Sequence, residues 1–176
     1  MNDNNQSSLK VERNKETDQR VKSLIIECEN LSTPQPQIDA SVIQEVYQNA
    51  MLGKYAVENL RPLSSDRGFR NLLLKQYKEY SAIAKEIEVY ADKANLDIKN
   101  VNFFNRGMMY FTTMMNTIGN KSNSKLAEIM IQGINMGIIS LTKIMNKNSD
   151  EEESHTFAQK MMEVLSKNLE EMKLFL

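Results

Sequence analysis

The stretch LAEIMIQGINMGIISLTKIM, residues 126–145, decides the fold. A membrane-crossing helix needs roughly 20 predominantly apolar residues, and this stretch has nearly that length. Glu128, Gln132, Asn135 and Lys143 interrupt its best window, 127–145, so it predicts a packed helix and no membrane span. A helical period sorts its side chains into two stripes. Leu126, Met130, Gly133, Gly137, Ser140 and Ile144 form a mostly small one. Ala127, Ile131, Ile134, Ile138, Leu141 and Met145 form a mostly branched one. A helix apolar over so much of its circumference is deeply packed. Gly133 and Gly137 predict close packing against another helix, near its Gly53.

The flanks supply the rest. NKSNSK is a turn in which Ser124 is the expected N-cap. SDEEES opens a last helix, with Ser149 and Glu152 at capping-box spacing and acids where the helix dipole favours them. Its seam is Ala158, Met161, Leu165, Asn168, Met172 and Phe175. Upstream, Asp39 caps a helix with the seam Ile43, Val46, Ala50, Gly53, Val57 and Leu60. RPLSSDRG turns the chain into a helix over 66–94, with Phe69, Leu73, Gln76, Tyr80, Ile83, Ile87, Tyr90 and Ala94 on one stripe. Lys75 with Glu79, and Lys85 with Glu88, are helical neighbours on its wet side. NLDIKN breaks that pattern. A Met-rich helix follows over about 102–118, carrying Met108, Met109, Met114 and Met115. Residues 1–38 read as a polar, flexible leader closed by STPQPQ, and 39–176 as one helical domain.

Composition narrows the function classes. Formal net charge is −1, so nothing suggests a phosphate-backbone interface, and nucleic acid is not an expected partner. Cys28 is the single cysteine, which fits a reducing, cytoplasmic setting. A di-metal carboxylate site in a helical bundle needs Glu-x-x-His pairs facing inward. The chain has a single histidine, His155, so two such pairs cannot both be present. A carboxylate-only site would need Glu128 and at least two further acids to converge. The methionines occur as adjacent pairs pointing about 100° apart, so the four cannot share one soft ion. No metal centre and no cofactor are expected. Two polar residues on the seams, Gln76 and Asn168, are candidate buried partners that fix helix register.

YQNAMLGKYAVENL, LLKQYKEYSAIAKEI and above all KLAEIMIQGINMGIISLTKIM are packing phrases. On these, residues 42–176 resemble small bacterial ferritin-like proteins of unassigned function. The resemblance implies an all-α, ferritin-like antiparallel four-helix bundle, with the Met-rich helix as an extra element in the connection between its second and third helices. With one histidine the chain cannot supply both histidine ligands that the resemblance implies, so iron chemistry is not the expected function. The expected function is therefore non-catalytic: self-association or binding of another protein through Phe104, Met108, Phe111 and Met115. The alternative is a divergent metal-binding oxidoreductase with carboxylate and amide ligands. A third reading is a small apolar-ligand site lined by Tyr80, Tyr90 and the glycines of the 126–145 stretch.

Overall fold

The computed structural model describes residues 40–98, 102–116, 121–147 and 152–176, without the side chains of 102–106, 110, 152 and 153. The expected leader, the Asp39 cap and the Ser149 capping box lie outside the described residues. Within them the protein is all-helical and contains no strand. The helices are α1 (Ala40–Leu60), α2 (Arg67–Ala94), α3 (Asn102–Asn116), α4 (Asn123–Lys147) and α5 (Glu152–Lys173), with a short 3₁₀ turn at Arg61–Leu63.

Local chemistry sets the boundaries. Pro62 tightens the turn after α1. Asp66 caps α2 by accepting from Phe69 N at 2.6 Å. Asn95 ends α2 in the left-handed region, φ 53°, and Leu96 N donates back to Ala91 O at 2.9 Å. At α4 the cap is Ser122, two residues before the expected Ser124. Its Oγ accepts from Lys125 N at 3.3 Å and its carbonyl from Leu126 N at 3.0 Å.

Helix direction follows from paired side chains. Along α2, Lys75, Glu79 and Glu86 meet Glu171, Lys167 and Lys160 of α5 in turn. Each step up α2 is matched by an equal step down α5, so the two helices are antiparallel in a fixed register. Phe69 on Phe175, with ring centroids 4.9 Å apart, and Tyr90 on Phe157, at 5.0 Å, extend that register to both ends. The expected pairing of Lys75 with Glu79 inside α2 does not form, because the facing helix offers each an opposite charge. These ion pairs are largely exposed, so each is worth about 0–1 kcal/mol and they specify alignment more than stability.

Tyr47 donates to Glu88 at 2.8 Å, which makes α1 antiparallel to α2. Ser140 with Glu45, and Ser64 with Asn123, make α1 antiparallel to α4. It follows that α2 and α4 run the same way, and the chain between them must travel back along the molecule. α3 lies on that return path, running along α1 with Gly107 against Leu52 and Phe111 edge-on to Tyr55 at 5.7 Å. α1 packs on all four other helices. Its Val42, Ile43, Val46, Ala50, Val57 and Leu60 are buried in one core with Leu73, Ile87, Leu126, Leu141 and Met161.

The glycines separate into two kinds. A Cβ on Gly53 would stand 2.7 Å from the Tyr80 ring, and one on Gly137 would stand 2.5 Å from Asn49 Oδ1. Among the described residues a Cβ on Gly133 would meet nothing within 4 Å. The expected close packing therefore holds at Gly53 and Gly137, where the neighbours are Tyr80 and Asn49. It fails at Gly133, which borders open space. Gly53→Ala is expected to lose about 1–3 kcal/mol by overpacking. Gly133→Ala is expected to gain about 0.5–1 kcal/mol from reduced backbone freedom of the unfolded chain. Urea unfolding of the two variants measures both, and the opposite signs are the test.

Candidate functional site

The open space at Gly133 belongs to a cavity of about 440 Å³ between α1, α3 and α4. Ala56 and Leu52 of α1, Phe111 and Met114 of α3, and Ile129, Met130 and Ile134 of α4 form its apolar walls. Tyr80 of α2 and Leu165 of α5 close its floor. Gly107 brings α3 against Leu52, and α3 packs more extensively on α1 than on α4. The gap consequently falls along α4. Pockets of this size, mostly hydrocarbon with few polar groups, suit a single small ligand.

One end is polar. Asn49 Nδ2 donates to Glu45 O at 2.9 Å and to Glu45 Oε1 at 3.0 Å. Ser140 Oγ donates to Glu45 Oε1 at 2.5 Å. Gly137 leaves the room that Asn49 Oδ1 occupies. Lys143 completes this end of the lining, exposed at the solvent edge. Met136 (47% exposed) and Ile139 (53%) share that edge.

Beneath the floor lies the second candidate feature. Gln76 and Asn168 are both fully buried. Gln76 Nε2 donates to the backbone oxygen of Asn168 at 3.5 Å, the long limit of a hydrogen bond. Gln76 Oε1 and both amide atoms of the Asn168 side chain have no protein partner. The two side chains thus sit together without satisfying each other. The Tyr80 hydroxyl is pushed up to about 12, first by burial, while Asn168 beside it pulls the other way and Glu79 adds a smaller upward push. Asn168 is near enough to act on the phenol, yet its amide lacks hydrogen-bond geometry to it.

The other candidates are dispersed. Met108, Phe111 and Met115 are half-buried, Phe111 forms part of the cavity wall, and the side chain of Phe104 lies outside the described residues. Among the described side chains of α3, Met109 is a large apolar one that is exposed, at 67%. Tyr80, Gly133 and Gly137 line the cavity; Tyr90 packs on Phe157 and does not. Glu128 pairs with Lys125 on the outside of α4, and Glu79 and Glu86 pair with lysines of α5. Among the described residues no three His, Cys, Asp or Glu side chains are grouped to hold a metal ion. His155 is half-buried in the first turn of α5. No described helix is long and apolar enough to cross a membrane. No family model, curated protein or solved structure matches the chain.

Sequence reasoning anticipated Tyr80 and the glycines but missed Asn49, Glu45 and Ser140. The signal was present: Glu45 and Asn49 are four apart on α1 and so share a face.

Tyr47 is also raised to about 12, by burial and by its hydrogen bond to Glu88. Below the ordinary value of 10.0 both folded and unfolded chains keep these protons. Above it the unfolded chain releases them first, so stability falls as pH rises from 10.0 through about 12. In a tyrosinate absorbance titration Tyr47 and Tyr80 are expected to ionise late, toward pH 12. Tyr80→Phe is expected to reduce both the late step and the alkaline loss of stability.

Proposed function

We propose that this chain is a ferritin-like four-helix bundle that has no catalytic role and binds a small, largely apolar molecule between α1, α3 and α4. The bundle reading is supported by the shared direction of α2 and α4, since ferritin-like topology requires one long crossover. The binding reading is carried by the cavity itself. Among the described residues its lining includes no histidine, cysteine or acid, so it offers shape and hydrocarbon more than reactive groups. A solvent-open, mostly apolar recess of about 440 Å³ beside a helix with two apolar stripes is of the kind that a small ligand covers.

The test uses Gly133, where a larger side chain enters open space. Nile red is expected to brighten on binding the folded parent protein. Gly133→Leu is expected to abolish that signal while leaving helix content and the thermal midpoint at or above parent values. Dye binding that survives in Gly133→Leu would sink the reading.

A second reading is association with another copy or another protein, supported by the exposed Met109, Met136 and Ile139. Light scattering on the purified chain separates the two: a mass at twice 20.3 kDa favours association, and a monomer leaves the cavity alone.

A further inference from the structure

Resting on that binding reading, the chemistry of the lining narrows the ligand. Asn49 donates to Glu45 and Ser140, and the Ser140 hydroxyl has Glu45 and the Gly137 carbonyl as acceptors. Among the described residues Lys143 is the charged side chain on the lining, and it makes no ion pair with them. Met136, Ile139 and Lys143 succeed one another at helical spacing along the solvent edge of the cavity. The opposite end, at Ile129 and Met130, is hydrocarbon.

We infer that the ligand is a small amphiphile with one anionic headgroup, its apolar body inside the cavity and its head at Lys143. A headgroup there stays hydrated at the mouth, so it escapes the cost of burying a charge. It takes hydrogen bonds from an ammonium that makes no ion pair among the described residues. Glu45 lies on the same side, and its carboxylate is held behind Asn49 and Ser140. A cationic head would meet Lys143 as a like charge.

The experiment compares decanoate, decanol and decylamine by titration calorimetry on the full chain. Decanoate is expected to bind about 3–10-fold more tightly than decanol, the scale of an exposed ion pair strengthened at an apolar rim. Decylamine is expected to be weakest. Lys143→Gln is expected to bring decanoate to the affinity of decanol and leave decanol unchanged. Equal binding of the three in the parent, lost in Gly133→Leu, would overturn the anionic head and keep the cavity. Binding that persists in Gly133→Leu, or no binding at all, would overturn both.

Discussion

The seating of Tyr80 against Gly53 is the contact on which the rest of the molecule depends. The ring lies where any side chain at position 53 would be, with ring carbons 2.7 Å from a hypothetical Cβ. This sets how near α2 approaches α1, and α1 is the common neighbour of every other helix. The same ring closes the floor of the cavity. Its hydroxyl end reaches the region of Asn168, so one side chain separates the apolar pocket from the buried amides. Glycine at 53 costs helix propensity of about 1 kcal/mol relative to alanine, and burial of a tyrosine ring repays more than that.

Much of the fold was legible because helical period is a one-dimensional signal. The seam of α5 from Ala158 to Met172 can be read off spacing alone, and Ala158, Met161, Leu165, Asn168 and Met172 are buried. What spacing does not carry is the identity of the neighbour. Gly133 and Gly137 look equivalent in sequence, four residues apart on one stripe. Four residues advance a helix by slightly more than a full turn, which rotates one glycine onto Asn49 and Leu165 and leaves the other over the gap. Lys75 and Glu79 likewise satisfy the rule for pairing inside a helix, and only the position of α5 reveals better partners. Ser122 and Ser124 are chemically identical cap candidates, separated by backbone geometry alone.

The candidate site was half legible for the same reason. Gly137 and Tyr80 announce themselves, a glycine in a helix and a tyrosine on an apolar stripe. The polar corner does not, because it is assembled from two helices some 90 residues apart in sequence, with Ser140 reaching Glu45 at a separation of 95 and Asn49 at 91. Within α1, Asn49 resembles an ordinary wet-face residue. It is buried only because Gly137 lacks a side chain.

The two apolar stripes of α4 now have distinct physical reasons. Ala127, Ile134 and Leu141 are buried in the core and would be required by any packed helix in this position. Met130, Gly133, Gly137 and Ser140 border the cavity together with Ile134; Gly137 is packed on Asn49, and Gly133 is where packing is forgone among the described residues. A helix under selection for stability alone would carry larger residues at 133, since nothing among the described residues obstructs them and dispersion contacts would be gained. Glycine at that position enlarges the void and lowers helix propensity together. Both effects oppose stability, and an occupant that supplies the absent contacts is the physical circumstance in which they cease to do so.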